Sequence, residues 1–513
     1  MVLTFLQAHV YKIKRKFFFF SKNWIIIKKQ KNTFKYSYCY ILRISFNDAF
    51  DNLLYNSNMT EEERLISVMP SERQLEFQKT EFYAFVHFTV NTFTDKEWGD
   101  GSESPVIFNP QKLDANQWVS AVKSAGMKGL ILTCKHHDGF CLWPSKFTKH
   151  TVAASPYKDG NGDIVREVSL ACKAQGIKFG VYLSPWDRNC PLYGQGKAYD
   201  DFFVNQLTEL LTNYGEIFSV WFDGACGEGP NGIKQYYDWE RYYSVIRKLQ
   251  PKACISVCGP DIRWCGNEAG YTRESEWSVV PERTKDSEII SEKSQQEDNT
   301  EFRLRRVDAR DRDLGSRELL RGEEKLIWYP AEVNTSIRPG WFYHEYEDDK
   351  VRSLEELVKI YMNSVGGNAT FLLNIPPTRE GLFHKNDLAR LKELGDFLRT
   401  AFAVNLAEKS LVEESSVEKG DFLITIKLEK TEQVKYLVIQ EDIRKSQRVE
   451  KFSVEIKKDG LFEKVYDGTV IGYKKIVRLC GDSLSAIGVT TDCLRIKINE
   501  CRKEPVISFV GVY

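Results

Sequence analysis

One stretch constrains this chain more than any other: an apolar run that ends on a carboxylate and gives way to small residues. Ile217–Phe222 is long enough for one buried strand. Asp223 ends it, and Gly224, Ala225, Gly227 and Gly229 follow. Runs of this length recur from residue 80 onward. Tyr83–Val90, Gly129–His137, Lys178–Trp186, Cys254–Cys258 and Ala369–Ile375 read as further strands. Between and after them, Asp114–Met127, Asp163–Gln175, Tyr199–Tyr214, Tyr236–Leu249, Leu354–Val365 and Asp387–Phe402 carry helical apolar spacing. Asp114 stands as an N-cap and Gly176 as a C-cap. Strand–helix alternation of this kind implies a parallel sheet, and the number of units implies a complete or slightly degenerate (β/α)8 barrel. In such a barrel the side chains at the carboxyl ends of the strands converge on one mouth.

The rest of the chain divides around that unit. After about Val404 the pattern changes to short alternating runs, Phe422–Leu428, Val434–Gln440, Val449–Ile456, Cys493–Ile498 and Val506–Tyr513, as in an antiparallel sandwich. Residues 281–326 are rich in Glu, Arg, Asp, Lys and Gln and read as a solvated insertion beside the mouth. Residues 1–58 hold ten Lys or Arg against two Asp, and their apolar clumps are too short to span a bilayer. The expected organisation is an α/β chain in three parts: a non-core extension 1–58, a (β/α)8-like TIM barrel catalytic domain 59–402, and a C-terminal antiparallel β-sandwich 403–513. The extension reads as lying outside the folded protein, with a natural start expected near Met59 or Met69.

Lys plus Arg equals Asp plus Glu at 72 each, so there is no electrostatic case for nucleic acid or an anionic membrane as partner. The 12 cysteines show no paired metal spacing, and no signal peptide is legible, which together point to a reducing, cytoplasmic setting. Oligomeric state is not legible.

Polar residues stand at five successive strand ends. His87 follows the first, His136 and His137 the second, Tyr182, Trp186 and Asp187 the third, Asp223 the fourth, and Arg263 to Glu268 the fifth. One strand-end histidine is ordinarily structural, but a ring of buried polar groups needs hydrogen-bond partners and implies a ligand rich in hydroxyls or charge. No dinucleotide or P-loop fingerprint is present. A metal centre competes, because three histidines and several carboxylates converge. Against it, His136 and His137 are adjacent and no H-x-H or H-E-x-x-H occurs. No metal or other cofactor is expected. Trp98, Trp143, Trp186, Trp221, Trp264 and Trp341 interleave with the polar groups and suit a sugar, and two carboxylates among them suit glycoside hydrolysis.

Several motifs then occur in order: Phe85-Val86-His87-Phe88, Glu97-Trp98, Lys135-His136-His137-Asp138-Gly139-Phe140, Gly180-Val181-Tyr182-Leu183-Ser184-Pro185-Trp186 and Val220-Trp221-Phe222-Asp223-Gly224. From about residue 80 to 377 the chain resembles the α-L-fucosidases of glycoside hydrolase family 29. Arg263-Trp264-Cys265-Gly266-Asn267-Glu268-Ala269-Gly270 and Glu332 to Trp341 resemble the branch that prefers α-1,3 and α-1,4 fucosyl linkages. The resemblance implies Asp223 as nucleophile and Glu268 as general acid/base, with Glu274, Glu276 and Glu282 close by as competitors. It implies His87, Glu97, Trp98, His136, His137, Tyr182, Trp221, Arg263 and Trp341 as residues that hold the sugar. The expected partner is a fucosylated oligosaccharide or glycoconjugate, cleaved from its end with retention. Trp221 or Phe88 is expected to wall the fucose methyl. Broader linkage specificity, transfer to a sugar acceptor, and an inactive fucose-binding protein are the alternatives.

Overall fold

The computed structural model describes residues 59–286, 290, 311–417, 421–481 and 483–513. The expectations for 1–58, and for 287–289 and 291–310 within the charged insertion, lie outside the described residues. The chain divides into two units, Met1–Arg64 and Leu65–Tyr513. The second holds everything described below.

The first six strands are β1 (Phe82–Val86), β2 (Gly129–Lys135), β3 (Lys178–Leu183), β4 (Ser219–Phe222), β5 (Cys254–Val257) and β6 (Arg263–Trp264). A short antiparallel ribbon, β7 (Val279–Pro281) with β8 (Leu326–Trp328), brackets the charged insertion. Then come β9 (Ala331–Ser336) and β10 (Ala369–Asn374). Eight of these form one parallel sheet in the order β5-β4-β3-β2-β1-β10-β9-β6. Its two end strands meet through the Ser256–Ile262 bridge, with Val257 N donating to Ile262 O at 2.9 Å, so the sheet curls into a nearly closed barrel. β1, β2, β4, β5, β9 and β10 are buried throughout, as strands covered on both faces must be.

The flanking helices form for local reasons the sequence states. Helix Ala115–Ser124 starts where Asp114 accepts from Asn116 N and Gln117 N, and it buries Trp118, Val119 and Val122. Helix Ile164–Gln175 starts where Asp163 accepts from Arg166 N and ends on Gly176 at φ 73°. The first strand is shorter than its apolar run predicts. Thr89 accepts from Asn91 N and caps a short helix, Val90–Thr94, so the chain turns at His87 and Phe88. The sequence does not mark β9 as a strand, because Glu332, Asn334, Thr335 and Ser336 interrupt its apolar character.

Beyond Phe402, β11 (Leu411–Val417), β12 (Asp421–Val434), β13 (Tyr436–Glu441), β14 (Val449–Lys458), β15 (Leu461–Gly468), β16 (Lys475–Arg478), β17 (Val489–Cys501) and β18 (Ile507–Val512) build two antiparallel sheets. Their orders are β11-β12-β17-β14-β15 and β16-β13-β18. Ile424, Leu437, Ile439, Phe452, Val454, Leu494 and Ile496 fill the core between them. The architecture is therefore a TIM-type barrel with a C-terminal β-sandwich. No helix among the described residues is long and apolar enough to cross a membrane.

Candidate active site

A cleft opens at the carboxyl ends of the strands. Phe85, His87, Trp98, His136, His137, Trp221, Asp223, Gly224, Ala225, Val257, Trp264, Glu268, Asn334 and Trp341 line it. β4 delivers Asp223 to its floor. The Tyr182 hydroxyl donates to Asp223 Oδ2 at 2.8 Å and Ala225 N donates to Oδ1 at 2.9 Å. The small residues after β4 let the backbone turn back onto that carboxylate. Val257, at the end of β5, sits at φ 67°, a strained conformation for a β-branched residue, and it faces this cleft.

Two histidines are fixed as hydrogen-bond acceptors by groups behind them. Ser184 Oγ donates to Trp186 O at 2.7 Å, so at 2.8 Å it accepts from His137 Nδ1. That leaves His137 Nε2 as a lone pair, 3.7 Å from Asp223 Oδ2. For His87 the argument runs through Asn374. Its amide nitrogen donates to Ser336 Oγ at 2.9 Å and to Trp341 O at 2.8 Å, so its oxygen accepts from His87 Nδ1 at 2.9 Å. Burial pushes both rings toward neutrality, His87 down to about 3 and His137 down to about 4. His136 is also held well below the ordinary value by burial, and its Nδ1 has no partner. Neutral imidazoles beside a carboxylate offer acceptors to sugar hydroxyls. His136, His137 and Asp223 also place ligand atoms within 4.8 Å of one another, so the same lone pairs are where a cation would bind.

Glu268 stands at the solvent-reached rim. Trp341 Nε1 donates to its Oε2 at 3.2 Å. Desolvation by the cleft walls raises its carboxyl above the usual range, and the charges of Asp223 and Glu97 act the same way against the Trp341 hydrogen bond. A carboxyl inclined to keep its proton therefore shares the cleft with Asp223.

The other expected residues fall into three groups. Trp98 lines the cleft, 49 % exposed, with its ring edge-on to His137 at 5.4 Å. Trp221 lines the cleft, while its Nε1 donates at 2.7 Å to buried Glu332, which also accepts from the Tyr83 hydroxyl. Glu97 lies behind the wall rather than in it. It accepts from Trp341 N at 2.8 Å, Phe342 N at 3.1 Å and His344 Nε2 at 2.7 Å, and so shapes the loop that carries Trp341. Arg263 is not brought to the cleft. It is buried against Glu276, Tyr329 O and Trp277 O. Phe88 packs in the helical layer with Phe108 and Trp118, so it cannot wall a sugar methyl; Phe85, Trp221 and Val257 are the apolar surfaces available. Asp187 pairs with Lys135 at 2.8 Å and serves the fold. Sequence reasoning missed Asn334, which accepts from Trp264 Nε1 at 3.0 Å, together with Glu332, Ser184 and Asn374. The Glu-Val-Asn alternation of β9 was the available signal.

Flat aromatic walls and fixed acceptors at a barrel mouth suit a sugar, and two carboxyl groups in unlike surroundings suit cleavage of its glycosidic bond. Fold and site together define a glycoside hydrolase. Known proteins narrow the class. A family profile described as alpha-L-fucosidase matches residues 58–401. Alpha-L-fucosidase 1 of Arabidopsis thaliana is 38% identical over 474 residues, covering 87% of each chain. A Bacteroides ovatus structure, provisionally named an alpha-L-fucosidase, is 47% identical with a TM-score of 0.80, covering 89% of this chain and 76% of its own. A Ruminococcus gnavus fucosidase of glycoside hydrolase family 29, in complex with fucose, is 31% identical with a TM-score of 0.73, covering 87% and 95%. The chain belongs to the alpha-L-fucosidases of glycoside hydrolase family 29.

Proposed function

We propose that this enzyme removes terminal α-1,3- or α-1,4-linked L-fucose from oligosaccharides or glycoconjugates by double displacement with retention. Asp223 attacks the anomeric carbon, and Glu268 protonates the leaving oxygen. Glu268 then takes a proton from the water that cleaves the fucosyl–Asp223 ester. The observation that carries this reading is the contrast between the two carboxyls. Asp223 is held by donors from Tyr182 and Ala225, whereas Glu268 has its proton affinity raised. A sugar filling the cleft displaces the water at the rim and raises Glu268 further. His87, His136 and His137 accept from ring hydroxyls, and Phe85, Trp221 and Val257 face the C5 methyl. The eleven free cysteines among the described residues support a reducing compartment.

The test is an NMR time course on a Lewis-type trisaccharide carrying α-1,4-fucose. Release of α-fucose before mutarotation is expected. Initial β-fucose would remove the nucleophile role from Asp223. Release only from α-1,2-linked or aryl fucosides would overturn the linkage preference. A fucosylated acceptor product exceeding free fucose would make the enzyme a transferase.

A further inference from the structure

The loop after β6 carries Glu268, and both of its ends are tied to one buried carboxylate. Glu276 is 1 % exposed. One of its oxygens accepts from Arg263 Nη2, at the start of the loop. The other accepts from Arg273 Nη1 and Arg273 N, each at 3.2 Å, at the end of the loop. Arg273 Nη1 also reaches across to Cys265 O at 2.9 Å, and its Nε donates to Asp311 O at 2.6 Å. The nine residues between the two arginines, Glu268 among them, are thus buckled shut.

Within the buckle Asn267 closes a smaller ring. Its oxygen accepts from Ala269 N at 3.1 Å and Tyr271 N at 3.2 Å, and its amide nitrogen donates to Tyr271 O at 2.9 Å. Gly270, at φ 88°, seats the ring on helix Leu354–Ser364, where an added Cβ would stand 3.0 Å from Ile360. The segment after the buckle is anchored from the sandwich side. Gln447 Oε1 accepts from Ser278 N and Thr469 Oγ1 donates to Glu274 O, both at 2.8 Å, and the Arg502 guanidinium lies 3.9 Å over the Trp277 ring. Asn368 Nδ2 donates to Glu276 O at 2.8 Å.

We propose that Glu276, acting through Arg263 and Arg273, is a positioning residue that sets where the Glu268 carboxyl stands relative to Asp223. Among the described residues, the hydrogen bonds of the Glu276 carboxylate go to Arg263 and Arg273, neither of which lines the cleft. Burial pushes its carboxyl up, but the two guanidinium groups overcome this and hold it below the usual range, so the buckle is ionic. A small misplacement of a proton donor reduces proton transfer steeply while leaving sugar binding intact. The proposal rests on Glu268 being the acid/base.

The test uses leaving groups, because an activated aryl fucoside needs little protonation and an oligosaccharide needs all of it. Steady-state kcat/KM is measured for Glu276→Gln, Arg273→Lys and Glu268→Ala on both substrates, with melting temperature and circular dichroism recorded for each. The expected result for Glu276→Gln and Arg273→Lys is a loss of roughly tenfold or more on the oligosaccharide and about twofold or less on the aryl fucoside. Glu268→Ala shows the same split on a larger scale. Arg273→Lys retains a cation opposite Glu276, so it remains informative if Glu276→Gln does not fold. Equal losses on both substrates, or none, in the folded buckle variants would overturn the proposal while Glu268→Ala keeps its split. Absence of a split in Glu268→Ala would instead overturn the acid/base assignment beneath it.

Discussion

Glu332→Gln should stabilise the protein at alkaline pH and leave it nearly unchanged in acid. Glu332 is fully buried inside the barrel, accepting from Trp221 Nε1 and the Tyr83 hydroxyl, and burial pushes its carboxyl up to about 7 from the ordinary 4.5. The folded state therefore binds more protons than the unfolded state between those two values. Stability present below pH 4.5 is lost as pH rises to 7, and the loss then levels off. At pH 8 it amounts to about 3 kcal/mol, and at pH 5 to about 1 kcal/mol. Glutamine has no such loss. Its oxygen can accept from Trp221 Nε1 and its nitrogen can donate to the Tyr83 oxygen, whose proton then goes to Thr370 Oγ1, 2.9 Å away. Denaturant unfolding of both proteins, followed by tryptophan fluorescence at pH 5 and pH 8, measures the difference. The variant should gain about 2 to 3 kcal/mol on the wild type between the two pH values. Parallel pH dependence would refute a neutral Glu332 in the folded barrel.

Four further outcomes are expected. Tyr182→Phe removes the donor at 2.8 Å from Asp223 and should lower kcat/KM on an aryl fucoside by about 10- to 100-fold, the worth of a hydrogen bond to a charged group. Trp341→Phe removes the donor that holds Glu268 down, so the alkaline limb of the kcat/KM–pH profile should move to higher pH. Gly340→Ala would place a Cβ 2.6 Å from Glu97 Oε1 and 2.9 Å from the His344 ring, and should raise KM by displacing Trp341, at a stability cost of about 1–3 kcal/mol in thermal unfolding. Dialysis against a chelator should leave turnover unchanged; loss restored by one divalent cation would make His136, His137 and Asp223 a working metal site.

The parts of the fold that bury apolar side chains on every strand position were legible, because an unbroken run such as Ile217–Phe222 has few other uses. β9 escaped notice because the barrel interior at that strand is polar, and Glu332 and Asn334 interrupt the run that would have marked it. β6 is two residues long and gives no periodicity at all. At the site, Asp223 and the histidines were legible as polar groups ending apolar strands. Arg263 fitted the same description, and only packing reveals that its charge is spent on Glu276 rather than on a ligand. The tautomers of His87 and His137 depend on Asn374 and Ser184, which are 287 and 47 residues away, so no local pattern could disclose them.

The junction of β5 and β6 bears on how such enzymes can diverge. Seven of the eight strand junctions are paired in parallel ladders, whereas this one rests on a single bridge. There the free edge of β5 is quenched by a side chain, with Ile255 N donating to Asp261 Oδ2 at 2.8 Å. The loop that carries Glu268 leaves from this seam. Changing that loop disturbs this seam and the Glu276 buckle, while the ladders on either side of β4, which ends at Asp223, stay intact. The barrel thus keeps Asp223 in the weave and Glu268 at the selvedge, where the chain can vary without unpicking the cloth.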